Sequence, residues 1–320
     1  MYITRIQGTT PLNSTIKSTT KTKIQNCGGL YNNSDIFEKR VQPQEIFFSG
    51  RANIFEKMMQ RYLENKSYKN SIFGSKRPYL SLSEDLKPFT KEVKIVLPNK
   101  EEIGALDINR NNSKDYILFL HGFSQNINDN QPLYREISKS KFGILAPEYR
   151  GYGKNKLTKN YRENNIMQDI QASLNYLKEN GKQCKGIIGH SFGAYISARV
   201  AKDIKPDFLV MVSPMISLEF WLKNVIKHPK KYKFEYGLNK YIEGFSKQYH
   251  KVFDIRKHLK NNPTNTYIIQ ANNDKYVRTC KVNEITPYIM NLKKFTKIKT
   301  GGHKMDNEKI AEIKKIVDKL

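Results

Sequence analysis

A serine lies between two glycines where the pattern of the chain changes. The stretch KGIIGHSFGAYISARVA starts at Lys185 with an apolar segment and continues past Ser191 with a helical pattern. Its centre, Gly189–Gly193, matches G-x-S-x-G, the pattern of a strand that turns sharply into a helix and pushes the serine outward. Glycines on either side lack the Cβ atoms that would collide in such a turn. The pattern therefore predicts Ser191 as a nucleophile.

A serine hydroxyl is a weak nucleophile, so it needs a base. His303 follows two glycines and the predicted strand FTKIKT, and Asp274 follows the predicted strand TYIIQ. The chain order Ser, Asp, His is expected when a nucleophilic serine precedes two loops at strand ends. We therefore predict that His303 takes the proton of Ser191 and that Asp274 orients the imidazole. Asp254 and Asp306 are rival carboxylates, but neither follows a predicted strand.

Attack on an acyl carbon creates negative charge on the substrate oxygen, and two backbone N–H groups must stabilise it. The residue after the nucleophile, Phe192, is expected to supply one of these donors. The other is expected in the loop HGFSQN, which follows the predicted strand YILFL, and we assign it to Phe123. The sequence thus predicts an oxyanion hole built from the backbone of Phe123 and Phe192.

The remaining histidines give no sign of a metal site. His228, His250 and His258 fall in a basic segment and are predicted to be solvated, and His190 is predicted to pack beside the serine. Neither these residues nor the three widely spaced cysteines have the spacing of a metal-ligand set. The predicted chemistry needs no cofactor and no metal.

The segments that must position these residues alternate between strands and helices from about Pro88 onward. KEVKIVL and EIGALDI predict a hairpin, and six more strands are predicted in YILFL, FGILA, KGIIG, DFLVMVS, TNTYIIQ and FTKIKT. Helical patterns fall on NNIMQDIQASLNYLKEN, FGAYISARVAKD and NEKIAEIKKIVDKL. VNEITPYIMNL is predicted to be mainly helical, with an interruption at Pro287. This alternation predicts the α/β class, with a mostly parallel twisted sheet and helices on both faces. Strand ends then gather the candidate residues at one edge.

Two segments do not follow the alternation. The pattern of residues 1–87 predicts an N-terminal extension that is partly disordered. It contains one amphipathic helix, in NIFEKMMQRYLENK. We expect this helix to pack on the catalytic domain, 88–320, rather than on a membrane or a partner. Residues 214–263 are too long for an ordinary connection and predict a helical cap insert. The aromatic residues of that insert either line a channel or form its own core: Phe220, Trp221, Phe234, Tyr236, Tyr241, Phe245 and Tyr249.

The chain is strongly basic, with a formal net charge of +26 from 56 Lys and Arg against 30 Asp and Glu. Such a charge attracts nucleic acid or anionic membranes. The basic residues are scattered and mostly Lys among many Asn, Ile and Tyr, which favours a bias of composition over nucleic-acid binding. The sequence shows no secretory signal and no apolar run long enough to span a membrane, so we expect a cytoplasmic protein. Peripheral membrane contact and the oligomeric state stay open.

Five motifs occur in a familiar order: HGFSQN, PEYRGYGKN, GHSFGA, ANNDKYV and GGHK. Together they resemble the α/β-hydrolase superfamily, in particular its branch of lysophospholipase-like and aminopeptidase-like serine hydrolases. The resemblance covers roughly 88–320 and implies the same nucleophile, acid, base and oxyanion donors. In the second motif, Glu148 and Asn155 stand where relatives often have Asp and Ser, and Arg150 is expected to brace the loop by ion pairing.

The resemblance implies a serine hydrolase that cleaves a carboxylic ester or thioester through an acyl-enzyme. Its substrate would be a small-molecule or lipid ester. A serine peptidase or amidase is the alternative with the same residues. A second alternative is a non-catalytic basic protein that binds nucleic acid or an anionic membrane.

Overall fold

The computed structural model describes residues 80–123, 125–155, 163–217 and 254–320, with the side chains of 163 and 164 excluded. The predicted disorder and amphipathic helix of the extension lie outside these ranges. So do His228, His250 and the aromatic residues of the insert.

The described residues form an eight-stranded sheet in the order β1-β2-β4-β3-β5-β6-β7-β8. The strands are β1 (Thr90–Val96), β2 (Glu102–Ile108), β3 (Asp115–Leu120), β4 (Gly143–Pro147), β5 (Gln183–His190), β6 (Phe208–Val212), β7 (Asn265–Ala271) and β8 (Leu292–Ile298). β2 runs antiparallel to both of its neighbours, and the other neighbouring pairs are parallel. The predicted α/β class is confirmed, with the expected antiparallel hairpin at one edge.

The helices of the described part are α1 (Gln131–Ile137), α2 (Glu163–Glu179), α3 (Phe192–Ile204), α4 (Arg256–Leu259), α5 (Thr279–Asn283) and α6 (Asn307–Val317). Two of them differ from the sequence prediction. α1 was not predicted, because its two turns are too short to show a clear helical period. VNEITPYIMNL is interrupted near Pro287 as predicted, because Pro287 has no N–H with which to continue a helix. It is not mainly α-helical, however, since it holds only the end of α5 and a 3₁₀ turn at Thr286–Tyr288.

Each face of the sheet has its own apolar core, because successive side chains of a strand point to opposite faces. In β3, Leu118 belongs to one core and Phe119 to the other. Residues of α2 and α3, such as Ile170 and Tyr195, fill the first core. Residues of α1 and α6 fill the second. Covering both faces explains why β3, β4 and β6 are almost continuously apolar, and it confirms the prediction of helices on both faces.

The described residues just before β1 lie against α1. The Gln131 side chain accepts from the backbone N–H of Ser83 at 2.6 Å and donates to the carbonyl of Ser81 at 2.9 Å. Leu86 is fully buried in the core on that face. The described residues that precede β1 are therefore packed against the α/β fold.

The two described ends of the predicted cap insert meet each other. Ser217 and Asp254 form an isolated antiparallel bridge, and the N–H of Ile255 donates to the carbonyl of Ile216 at 2.9 Å.

Within the described ranges, none of the helices has the length and apolar character needed to cross a membrane.

Candidate active site

Ser191 lies at the sharp turn between β5 and α3. Its backbone has φ of +55° and ψ of −112°, a strained conformation for a residue with a side chain. The end of β6 holds the turn, since the Ser191 N–H donates to the carbonyl of Val212 at 2.9 Å and its own carbonyl accepts from Met215 N–H at 3.0 Å. A Cβ atom on Gly189 would lie 2.4 Å from the Gly193 carbonyl oxygen. The glycines of the motif are thus required by close backbone approach.

The structure brings Ser191, Asp274 and His303 together. His303 Nε2 lies 2.8 Å from Ser191 Oγ, and His303 Nδ1 lies 2.8 Å from Asp274 Oδ2. The serine follows β5, the aspartate follows β7 and the histidine follows β8, so the residues after three separate strand ends meet at one edge of the sheet. This arrangement can move a proton from the hydroxyl to the imidazole.

Asp274 is held in a position to orient the imidazole. Its side chain is buried, and its Oδ1 accepts from the backbone N–H groups of Tyr276 and Val277, each at 2.9 Å. Burial alone would raise its pKa, but the hydrogen bond and charge of His303, together with these two N–H groups, hold the pKa of Asp274 below its usual value. An ionised carboxylate keeps a proton on His303 Nδ1 and leaves Nε2 to accept from the serine.

The two predicted oxyanion donors lie on segments that meet beside the serine. Phe192 begins α3, so its N–H belongs to the first turn and has no acceptor within the helix. The loop after β3 runs against the nucleophile, since a Cβ atom on Gly122 would lie 3.2 Å from Ser191 Cβ. Phe123 follows in that loop, and its ring stacks on the ring of Phe192 with centroids 4.0 Å apart. These are the positions from which both backbones could reach one substrate oxygen.

The rival residues of the sequence lie in other contacts. Asp254 pairs with Arg256 at 2.7 Å, and Asp306 caps α6 by accepting from the Lys309 backbone N–H at 3.0 Å. His190 is buried beside the serine, as predicted. The prediction that His258 is solvated is wrong: the residue is partly buried with Nε2 3.2 Å from the Tyr195 hydroxyl, and burial lowers its pKa to about 4.

The loop after β4 has the bracing role expected of it. Arg150 Nε donates to Asp169 Oδ1 at 2.6 Å, with both side chains almost fully buried. Asn155 Nδ2 donates to the carbonyl of Glu148 at 2.7 Å. The Glu148 carboxylate in turn lies 3.1 Å from Nε2 of His121, which is fully buried. These contacts fix the loop without reaching the serine, so we treat them as structural.

One residue of the site was missed from the sequence. Lys309 of α6 is buried, and its Nζ donates to the backbone carbonyls of Gly302 and Lys304 on either side of His303. A signal was present, because Lys309 occupies the same stripe of the helix as Ile313 and Ile316, four and seven residues later. A lysine on the apolar face of a predicted helix indicates a specific buried partner.

Known proteins share this sequence pattern and fold. The family model described as "Serine aminopeptidase, S33" matches residues 111–243. A carboxylesterase of Bacillus subtilis (strain 168) is 26% identical over 187 residues, which cover 53% of this chain and 76% of that protein. The structure of a Pyrococcus furiosus esterase matches with a TM-score of 0.62 at 19% identity, covering 79% of this chain and 98% of that one.

More distant structures have the same fold. A membrane phospholipase A, described as a bacterial virulence factor, matches with a TM-score of 0.57 at 12% identity, covering 84% of this chain and 94% of that one. At such identities the likeness shows the fold alone. The two sequence matches support the predicted enzyme class, a serine hydrolase. The chain therefore has the α/β-hydrolase fold, and its sequence is similar to that of α/β-hydrolase enzymes.

Proposed function

We propose that the protein cleaves a carboxylic ester or thioester by nucleophilic catalysis through an acyl-enzyme. The observation that carries the proposal is the continuous contact from Ser191 Oγ to His303 to Asp274, with both heavy-atom distances at 2.8 Å. A nucleophile, a base and an orienting carboxylate within hydrogen-bond reach form the arrangement that activates a serine hydroxyl.

In the first half of the proposed reaction, Ser191 Oγ attacks the acyl carbon while His303 Nε2 takes its proton. The backbone N–H groups of Phe123 and Phe192 stabilise the oxyanion of the tetrahedral intermediate. When the intermediate collapses, the bond to the leaving oxygen or sulfur breaks and His303 returns the proton to it. Asp274 stabilises the imidazolium between these two transfers.

In the second half, water replaces the leaving group. His303 takes a proton from the water as it attacks the acyl carbon of the acyl-enzyme, and a second tetrahedral intermediate forms in the same oxyanion hole. Its collapse breaks the bond to Ser191 Oγ, which receives the proton back, and the carboxylic acid leaves. The chain's own residues supply every proton transfer in this scheme.

The names of the similar proteins support an ester as substrate, since they include a carboxylesterase and an esterase. The partly exposed ring of Phe123, which stacks on the ring of the residue after Ser191, favours an apolar acyl group. A small-molecule or lipid ester fits both observations. The cytoplasmic location stays a prediction.

Amide or peptide hydrolysis is the second candidate, and the description of the matching family model as a serine aminopeptidase favours it. Both reactions use the same residues, so the substrate must distinguish them. We would compare p-nitrophenyl esters of increasing acyl length with aminoacyl amides. Turnover of esters with no detectable amide cleavage supports the esterase, and the reverse result supports the peptidase.

A fluorophosphonate probe tests the serine itself. We expect the folded wild type to be labelled and Ser191→Ala to stay unlabelled, and Ser191→Ala or His303→Ala should each lower turnover by about 10⁶-fold. Ser197→Ala is the matched control, because this buried serine of α3 donates to the backbone carbonyl of Ala194 at 2.8 Å and takes no part in the proposed reaction. A folded wild type that is neither labelled nor active would contradict the proposal. A salt-sensitive shift with DNA would then favour a binding protein.

A further inference from the structure

A buried lysine lies next to the loop that carries His303. Lys309 belongs to the first turn of α6, and its solvent exposure is 0%. Its Nζ donates to the carbonyl of Gly302 at 2.9 Å, to the carbonyl of Lys304 at 2.7 Å and to Asp306 Oδ2 at 2.8 Å. An ammonium group has three N–H donors, so all three are used.

These contacts hold the backbone on both sides of the imidazole. The residue before His303 and the residue after it each give their carbonyl to Lys309. The carbonyl of His303 itself lies 2.8 Å from Nε2 of His190, another buried side chain. The backbone carbonyls of three consecutive residues are thus each held by a buried side-chain donor.

The same loop is tied to the segment that carries the aspartate. The N–H of Gly302 donates to Asn273 Oδ1 at 2.8 Å, and Asn273 precedes Asp274. On the other side, His190, whose side chain contacts the carbonyl of His303, directly precedes Ser191. The loop of the histidine is therefore anchored next to both partners of the imidazole.

Packing alone does not account for a lysine at this position. The stripe of α6 that faces the core consists otherwise of Ile310, Ile313, Ile316 and Val317. Burying a charge among them is costly unless it is fully paired, and an apolar residue would fill the same volume without that cost. Gly301 and Gly302 have φ of +95° and +60°, so the loop contains two residues with a wide choice of backbone conformations. The contacts with Lys309 restrict the backbone conformations open to such a loop.

We propose that Lys309 is a positioning residue, whose buried ammonium group fixes the His303 loop so that the imidazole reaches both Ser191 and Asp274. The inference rests on the proposed function, because it concerns the geometry of the proposed base. It assigns no contact with the substrate to Lys309.

The test variant is Lys309→Met, which keeps the apolar stem and removes the three donors. A displacement of about 1 Å at a reacting group costs about 100-fold in rate. We therefore expect kcat to fall by about 10- to 100-fold per active site, with KM changed by less than about twofold. Active sites are counted by titration with the fluorophosphonate probe, so a loss of folded protein does not enter the rate.

A second readout separates positioning from a merely structural role. An alkoxide leaving group needs a proton from His303, whereas p-nitrophenolate leaves without one. The ratio of kcat/KM for an ethyl ester to kcat/KM for the p-nitrophenyl ester of the same acid should therefore fall in Lys309→Met. Both kcat/KM values scale with the concentration of active sites, so a loss of folded protein alone leaves their ratio unchanged.

Lys314→Met is the matched control on the same helix. Lys314 is partly exposed and pairs with Asp318 at 2.6 Å, and its loss should leave both kcat and the ratio unchanged. Lys309→Gln keeps a shorter, neutral donor and replaces Lys309→Met if the latter does not fold. The kcat of Lys309→Gln should be lower than that of the wild type without being lost completely. Wild-type kcat and ratio in whichever folded Lys309 variant is measured would overturn the role of Lys309. A wild type inactive on every ester would instead overturn the proposed function, and this inference with it.

Discussion

The rings of Phe123 and Phe192 lie almost parallel, with their centroids 4.0 Å and their planes 11° apart. Phe123 belongs to the loop after β3, and Phe192 belongs to the first turn of α3. The stack therefore joins the two segments whose backbone N–H groups we propose as oxyanion donors. Phe192 is fully buried, so it offers a fixed surface on which the loop of Phe123 rests.

Removal of the Phe123 ring should impair the reaction without unfolding the protein. Stacked aromatic pairs contribute about 0.5–1.5 kcal/mol beyond the area they bury. We expect Phe123→Ala to lower kcat/KM for a p-nitrophenyl ester by about tenfold, because the loop loses its anchor. Phe123→Tyr keeps the ring and should keep most of the activity. Wild-type kcat/KM in Phe123→Ala would show that the stack does not position the donor.

The second glycine of the serine motif should be essential to the fold. A Cβ atom on Gly193 would lie 2.0 Å from the backbone carbonyl oxygen of Leu120 in β3. We expect Gly193→Ala to cost about 3 kcal/mol or more in free energy of unfolding, measured in urea, because backbone atoms must move. Gly104→Ala is the control, since the nearest atom to its new Cβ would be Asn155 Oδ1 at 3.7 Å. Equal stability of the two variants would contradict the prediction.

Arg150 should matter for stability through its buried partner. Its guanidinium lies 2.6 Å from Asp169 Oδ1, and burial raises the pKa of Asp169 to about 6 although Arg150 opposes the shift. We expect Arg150→Met to cost about 3–5 kcal/mol in free energy of unfolding, because it leaves a buried carboxylate without its charged partner.

The double variant Arg150→Met with Asp169→Leu provides the control for this prediction. It removes both charges and should recover most of the lost stability. A double variant that is as unstable as Arg150→Met would show that the loop after β4 depends on other contacts of Arg150, such as its bond to the Asn165 carbonyl at 2.8 Å.

The stability contributed by Asp274 should depend on pH in a defined direction. Its pKa in the folded protein lies below the unfolded value of 3.8. Its contribution is therefore complete above pH 3.8 and is lost as the pH falls through the lower, folded pKa. We expect the difference in free energy of unfolding between wild type and Asp274→Asn to be larger at pH 6 than at pH 3. A difference that does not change between these two values would contradict this assignment.

Much of the site could be predicted from local pattern. The apolar segment before Ser191 and the helical segment after it indicate a strand that turns into a helix, and two glycines at this turn leave few other conformations. The loops of Asp274 and His303 could be placed as well, because parallel strands bring their carboxyl ends to the same edge of a sheet. Less could be predicted where elements are short. α1 has only seven residues, which is too few to show a helical period, and its Leu133 and Tyr134 belong to the core on one face of the sheet.

The sequence by itself determined the alternation of strands and helices, the strained turn at the serine and the three loops that carry the candidate residues, because these depend on neighbouring residues and on the direction of the strands. Only the tertiary structure decided which contacts hold those loops in place. Helical periodicity puts Lys309 among isoleucines, but its acceptors are the carbonyls of Gly302 and Lys304, and their position depends on how the loop folds back over α6. A buried charge is stabilised by the donors and acceptors that surround it in space, and sequence spacing does not specify these.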